Sequence, residues 1–125
     1  MALNIINPGL STSIQDLGRP GYFHLGIPIG GAMDRFSLRV ANMLVGNPED
    51  AAALEAVFMG PEIEFASDGA IAVTGADIPV MLDGVEQPTW TTLAVSKGQK
   101  LSFGFLKAGA RIYIAVSGGI TTPEA

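Results

Sequence analysis

Several residue types are scarce or absent in this chain of 125 residues. It has no cysteine, which excludes a disulfide framework and a thiolate metal site. Only 15% of its residues are charged, and a net charge of −5 offers no basic surface to nucleic acid or to a membrane. No apolar run approaches the roughly 20 residues that cross a bilayer, and residues 1–9 lack the features of a signal peptide. We therefore expect a cytoplasmic location.

The residues that are abundant indicate a mainly β domain. Hydrophobic residues make up 48% of the chain, enough for residues 1–125 to form a single domain with a sizeable core. Turn signals divide short apolar runs at a spacing that is typical of a barrel or a sandwich. The predicted strands are Leu3–Ile6, Ser13–Asp16, Leu54–Met59, Glu62–Ala66, Ala70–Thr74, Pro79–Leu82, Leu93–Ser96, Lys100–Phe105 and Arg111–Ser117.

Two of these strands carry more specific signals. Asp83-Gly84 can adopt the positive φ angles of a type I′ turn, which predicts a hairpin between Pro79–Leu82 and Val85. The strand Arg111–Ser117 has apolar residues on both faces, so we expect it inside a sheet.

One helix is predicted, at Asp34–Val45. Asp34 is its expected N-cap, Gly46 can end it in the left-handed conformation, and Pro48 prevents its continuation. Its apolar residues fall on two opposite sides, so we expect a helix wedged between packed surfaces with a narrow polar stripe. That stripe, formed by Arg35, Arg39 and Asn42, is either an edge facing solvent or the lining of a polar cleft that it shares with the loop Leu17–Gly31.

The chemistry-bearing residues concentrate between Gln15 and Asn42. This stretch holds three of the four arginines and the only histidine, beside a glycine-rich and proline-rich link at Leu17–Gly31. Long links of this kind are commonly functional. The same residues also permit a structural interpretation, in which Asp16 pairs with Arg19 and Asp34 is only a helix cap.

Other candidate residues and motifs carry weaker signals. His24 has no second histidine for a metal site. Glu55 lies in an apolar strand where its carboxylate needs a partner, and an arginine is expected, either as a structural partner or as Arg35 or Arg39 held in position for a ligand. The chain has no Gly-x-x-x-x-Gly-Lys-Ser/Thr phosphate loop and no Gly-x-Ser-x-Gly nucleophile elbow. None of its three lysines has the sequence context that accepts biotin.

Several motifs, in order along nearly the whole chain, resemble those of the biotin-dependent carboxyltransferase family. Members of this family are described as the C-type subunit of 5-oxoprolinase, as allophanate hydrolase subunit 2 or as Kip-type antagonists of a kinase inhibitor. The motifs are Gln15–Gly21, Gly31–Arg35 leading to Ala41-Asn42 and Gly46–Pro48, Ala53–Glu55, Thr74–Asp77, and Val116–Ile120.

The resemblance implies a cyclophilin-like β-barrel portion and an ATP-hydrolysing activity that opens 5-oxo-L-proline to L-glutamate. A Kip-type protein similar to the B-type subunit of 5-oxoprolinase is the implied partner. The alternatives are a carboxyltransferase of the urea carboxylase or allophanate hydrolase type, and a regulator without enzymatic activity. Family members are much longer, so we expect an N-terminal portion that is inactive alone. ATP would then bind in the complex, and biotin would arrive only on another protein.

A small amide beside a carboxylate, as in 5-oxoproline, gives each candidate residue a hypothetical role. Arg19 and Arg35 are the expected anion clamps, since a guanidinium presents a fork of donors to a carboxylate. Asp16 and Asp34 are the candidate proton carriers. The remaining two candidates, which would orient the amide, are Gln15 and Asn42. No metal is expected.

Overall fold

The computed structural model describes residues 3–7, 9, 12–15, 23–24, 27–28 and 34–119, with only the backbone of residues 15, 23, 24, 27 and 28. Within these ranges the chain forms twelve strands and one helix. In chain order they are β1 (Leu3–Asn7), β2 (Thr12–Gln15), β3 (Phe23–His24), β4 (Ile27–Pro28), α1 (Arg35–Leu44), β5 (Ala53–Val57), β6 (Glu62–Phe65), β7 (Gly69–Asp77), β8 (Val80–Leu82), β9 (Val85–Gln87), β10 (Thr92–Val95), β11 (Lys100–Phe103) and β12 (Ala108–Val116).

The strands form two antiparallel sheets of five strands each. The first sheet has the order β1-β6-β11-β8-β9, and the second has the order β10-β7-β12-β5-β2. The mainly β fold with one principal helix is thus confirmed. All nine predicted strands are present, with ends that differ by up to three residues. The sequence did not predict β3 and β4, which pair with each other inside the link that had been expected to be a loop.

The inner faces of the two sheets enclose one apolar core. Alternate residues of the second sheet point inward, because side chains of a strand alternate between its two faces. Leu54 of β5, Val73 of β7 and Ile114 of β12 meet residues of the first sheet such as Ile63 and Leu101 in this core. The placement of β12 between β7 and β5 confirms that the apolar strand Arg111–Ser117 lies inside a sheet.

The predicted hairpin is also confirmed. Leu82 pairs with Val85 across the turn. Both turn residues have positive φ angles, 49° at Asp83 and 81° at Gly84. These are the angles that a type I′ turn requires.

The helix α1 covers part of the outer face of the second sheet. Leu38 and Ala41 are fully buried against Ala53, Tyr113 and Ala115 of that sheet. The small alanine side chains leave room for a helix to approach the strands closely. No helix among the described residues has the length and apolar character needed to cross a membrane.

Only one side of α1 is buried, so the prediction of a wedged helix is wrong. Phe36 and Met43 are exposed by 67% and 60%, whereas Asn42, which was expected on a polar stripe, is fully buried. Periodicity identified the helix correctly, but apolar side chains do not reveal which of them meet a neighbouring element. The helix ends agree with the prediction: Asp34 caps the first turn and Gly46 has a φ of 78°.

A bulge distorts the pairing of β12 with β7. Ala108 pairs with Asp77 and Ile112 with Gly75, so β12 advances further than its neighbour between these points. Gly75 lies opposite the bulge with a φ of 97°, and a Cβ atom there would lie 2.3 Å from the carbonyl oxygen of Arg111. Only glycine fits this close backbone approach.

Candidate functional site

A cluster of polar side chains lies where the N-terminus of α1 meets the outer face of the second sheet. We call it the polar cluster, and its members are Asp34, Ser37, Glu55, Arg111 and Tyr113. Alternation places Glu55 of β5 and Tyr113 of β12 on this face, since their neighbours Leu54 and Ile114 point into the core. Tyr113 and Glu55 are direct cross-strand partners, which brings their side chains together.

The Tyr113 hydroxyl is the centre of the polar cluster. It donates a hydrogen bond of 2.5 Å to Oε2 of Glu55 and accepts one of 2.9 Å from the backbone N–H of Asp34. Glu55 is only 6% exposed and Tyr113 is fully buried. Burial of the phenol, followed by its hydrogen bond to Glu55, raises the pKa of Tyr113 well above its ordinary value of 10. The hydroxyl therefore stays protonated and keeps donating to the carboxylate.

Arg111 approaches the other oxygen of Glu55. Its Nε lies 4.0 Å from Oε1, and the arginine side chain is about one third exposed. This confirms the expectation that an arginine accompanies the buried carboxylate. Nε itself is buried and makes no hydrogen bond to the described residues, so the contact with Glu55 is an ion pair without the fork geometry of a bidentate pair.

Asp34 begins α1 and links the helix to the sheet. Its Oδ1 accepts from the backbone N–H of Ser37 at 3.0 Å, and its Oδ2 accepts from the Ser37 hydroxyl at 2.6 Å. The Ser37 carbonyl in turn accepts from the hydroxyl of Thr74 on β7 at 2.6 Å. Capping of α1 by Asp34 is therefore confirmed, and both carboxylate oxygens already have partners within the first turn.

Asn42 lies at the other end of α1 and is separate from the polar cluster. Its Nδ2 donates to the backbone carbonyls of Glu49 and Ala51, at 3.2 and 2.7 Å. The side chain is fully buried, and its Oδ1 has no hydrogen-bond partner within the part of the chain that the structure describes. Asn42 thus holds the turn that follows the helix.

The other predicted site residues are only partly described. Arg35 is exposed in the first turn of α1, next to Asp34 of the polar cluster. Gln15 ends β2, where its backbone pairs with Ala53, but its side chain is outside the described atoms. Asp16 and Arg19 lie outside the described residues, as does most of the loop Leu17–Gly31. The proposed cleft between this loop and Arg35 therefore stays a prediction, whereas the amide of Asn42 is engaged by the turn after α1. Among the side chains that the structure describes, no three potential metal ligands converge.

Sequence reasoning missed three members of the polar cluster. Arg111 and Tyr113 were assigned to β12 but not to the site, and Ser37 was not singled out. A signal for the first two exists in the alternation of β12, because they occupy the same outer face as Glu55. Only the pairing of β12 with β5 brings them to Glu55, and pairing partners are not evident from a single sequence.

The domain thus combines two five-stranded sheets, a helix across the outer face of one of them and a buried carboxylate beneath the N-terminus of that helix. The chain belongs to the family described as carboxyltransferase domain, subdomain A and B, whose pattern matches residues 25–125.

Known relatives agree with this assignment. Urea amidolyase of Saccharomyces cerevisiae is 43% identical over 98% of this chain, which covers 7% of that protein. The C-type subunit of 5-oxoprolinase from Escherichia coli is 42% identical over 97% of this chain, which covers 39% of it. The crystal structure of Kluyveromyces lactis urea carboxylase superposes with a TM-score of 0.90 at 37% identity, over 98% of this chain and 11% of that one. The chain therefore spans well under half the length of these relatives.

Proposed function

We propose that this chain is part of a 5-oxoprolinase that couples ATP hydrolysis to the opening of 5-oxo-L-proline to L-glutamate, together with a partner that resembles the B-type subunit of that enzyme. The observation that carries the proposal is the 42% identity with the C-type subunit of Escherichia coli 5-oxoprolinase over 97% of this chain. The chain covers 39% of that protein but only 7% of the yeast urea amidolyase, so it corresponds to a larger share of the former than of the latter.

The polar cluster supports a role in binding a small amide that carries a carboxylate. Arg35 is exposed beside the helix N-terminus, where its guanidinium can clamp a carboxylate. The Tyr113 hydroxyl, which donates to Glu55, accepts from the Asp34 N–H and so holds the start of the helix that carries Arg35. We propose Arg19 as the second clamp, Gln15 as a group that orients the amide, and Asp16 or Asp34 as the proton carrier. Asn42 supports them by holding the end of α1.

We propose that neither ATP nor biotin is a resident group of the described part of this chain. The sequence has no glycine-rich phosphate loop with a lysine, and its three lysines, Lys97, Lys100 and Lys107, lie on the first sheet or in connections between strands. We propose that ATP binds elsewhere in the complex, and that biotin takes part only if another protein carries it.

A second candidate function is transfer of a carboxyl group to urea. The observation that favours it is the TM-score of 0.90 with Kluyveromyces lactis urea carboxylase over 98% of this chain. Urea and 5-oxoproline are both small amides, so the same donors and acceptors can hold either. They differ in the carboxylate of 5-oxoproline, which makes the arginine clamp the distinguishing feature.

The test is reconstitution of the full-length protein with its partner subunit and ATP, offered 5-oxoproline, urea or allophanate in parallel. We expect turnover of 5-oxoproline only when both subunits are present. Turnover of urea alone, in the presence of a biotin carrier, would favour the second candidate. Binding of the partner without turnover of any substrate would indicate a regulator.

Variants of Arg35 test the clamp within that complex. Arg35→Ala should lower the rate about tenfold or more, since each 1.4 kcal/mol of lost transition-state stabilisation is tenfold. Arg35→Lys should restore only part of it, because an ammonium lacks the fork of a guanidinium. Lys100→Ala, which removes a cation from the first sheet, is the matched control and should not change turnover. A folded Arg35→Ala complex with normal rates would remove Arg35 from the site.

A further inference from the structure

The outer side of α1 presents large apolar side chains to solvent. Phe36 and Met43 are seven residues apart, so they lie on one side of the helix, and they are exposed by 67% and 60%. Trp90, 40% exposed, extends this surface, with its ring centroid 6.2 Å from that of Phe36. Arg39 lies between Phe36 and Met43 and is also exposed. We call Phe36, Arg39, Met43 and Trp90 the α1 outer surface.

The charge of this surface differs from that of the whole chain. The sequence of α1 contains two arginines and no acidic residue, whereas the chain has a net charge of −5. Within the part of the chain that the structure describes, Arg39 has no salt bridge. Exposed large apolar side chains around an arginine are typical of surfaces that bind other proteins, where aromatic and arginine side chains are enriched.

Trp90 is held in place before any partner arrives. Its backbone has a φ of 57°, a conformation that residues other than glycine rarely adopt. A hydrogen bond of 2.8 Å from its N–H to the carbonyl of Val73 on β7 fixes this conformation. The fixed backbone and the ring contact with Phe36 reduce the conformational freedom that Trp90 can lose on binding, which suits it to anchor an interface.

Charge also selects among the possible occupants. In a symmetric pair of α1 helices, the central Arg39 would lie near the two-fold axis and meet the Arg39 of the second copy. Two like charges brought together disfavour that arrangement. An apolar surface bordered by carboxylates complements the α1 outer surface both in its apolar side chains and in the positive charge of Arg39.

We infer that the α1 outer surface docks the partner subunit, through an apolar patch of that subunit that is bordered by aspartate or glutamate. The inference rests on the proposed function only in requiring a partner subunit. It extends that function by assigning the exposed side of α1 to the partner and the buried end of the same helix to the polar cluster. Binding at this surface would then act on the element that carries Arg35.

The test is calorimetric titration of the full-length protein with the partner that resembles the B-type subunit, at low and at high salt. The double variant Phe36→Ala/Met43→Ala should raise the Kd at least about tenfold. Arg39→Glu should raise it by a similar factor, more at low salt than at high salt, whereas Arg39→Lys should stay near wild type. Phe105→Ala is the matched control, because Phe105 is 94% exposed on the connection between β11 and β12.

Each other result has a definite meaning. A Kd of the double variant within twofold of wild type overturns the inference, and so does an absence of binding by wild type. If wild type self-associates and the double variant is monomeric with unchanged partner affinity, the occupant is a second copy and the inference is wrong. If the double variant lowers the Tm of the free protein and leaves the Kd unchanged, another part of the same protein covers the surface, and the inference is again wrong. Tight binding without turnover of any substrate removes the proposed function and leaves the docking surface standing.

Discussion

Replacing Tyr113 by phenylalanine removes a single oxygen atom from the polar cluster. That atom donates to the buried Glu55 carboxylate and accepts from the Asp34 N–H. A hydrogen bond to a charged group contributes about 1.5–3 kcal/mol, and the partly buried N–H adds about 1 kcal/mol. Since phenylalanine fills nearly the same volume, little packing is lost. We expect Tyr113→Phe to lower the free energy of unfolding by about 2–4 kcal/mol near neutral pH.

The loss should depend on pH in a defined direction. The pKa of Tyr113 is raised in the folded state above its value near 10 in the unfolded chain. The stabilisation is therefore fully present below pH 10 and is lost as the pH rises above 10, where the unfolded chain releases the proton first. At pH 11 the release of this proton lowers the free energy of unfolding of the wild type by about 1.4 kcal/mol. The variant has no titrating group at position 113, so it shows no such loss. The difference between the two proteins should shrink accordingly.

Urea denaturation followed by far-ultraviolet circular dichroism, at pH 8 and pH 11, measures both effects. Glu55→Gln provides the matched background. There the acceptor is neutral, so each of the two hydrogen bonds of the Tyr113 hydroxyl contributes about 1 kcal/mol, and Tyr113→Phe should cost about 2 kcal/mol, less than in the wild-type background. The reasoning is refuted if Tyr113→Phe costs less than about 0.5 kcal/mol at pH 8, or if its cost is the same at both pH values.

Three further substitutions test other parts of the structure by the same denaturation measurement. Asp34→Ala should lower the free energy of unfolding by about 1 kcal/mol because the helix loses its cap. Asp34→Asn should keep most of the capping stabilisation, so equal losses in the two variants would contradict the capping role. Gly75→Ala should cost about 3 kcal/mol, since its Cβ would overlap the Arg111 carbonyl. Gly84→Ala is the control, because Gly84 also has a positive φ but open space around it, and it should cost about 1 kcal/mol. A loss at Gly75 no larger than the loss at Gly84 would argue against the close approach. Asn42→Asp should cost about 3 kcal/mol or more, exceeding Asn42→Ala, because it buries a carboxylate against two carbonyls; the reverse order would contradict this contact.

Local signals in the sequence predicted the elements of this fold well. The Asp83-Gly84 turn, the Asp34 cap and the alternation of β12 each depend on residues close together in the chain. The local structure that these residues adopt does not depend on distant neighbours in the chain. The predicted strands, hairpin and helix ends therefore agree with the structure.

The arrangement of those elements could not be predicted in the same way. Phe36 and Leu38 are both apolar, but only Leu38 meets the second sheet. Asn42 resembled a site residue by its position near Arg39, yet a turn several residues later engages its amide group. Glu55 was recognised as a carboxylate in need of a partner, but its contacts with Tyr113 and Arg111 depend on strand pairing across more than fifty residues.

The central position of β12 has a consequence for how the protein is made. Synthesis delivers β2, β5, β7 and β10 before Ala108–Val116, yet β12 lies between β7 and β5 and joins the two halves of the second sheet. Until it emerges from the ribosome, α1 lacks the surface of Tyr113 and Ala115 on which it packs. Strands that are far apart in the sequence pair slowly, and the edges of their neighbours stay exposed until they do. The second sheet therefore completes itself late, and the helix and the polar cluster take their final places only in that last step.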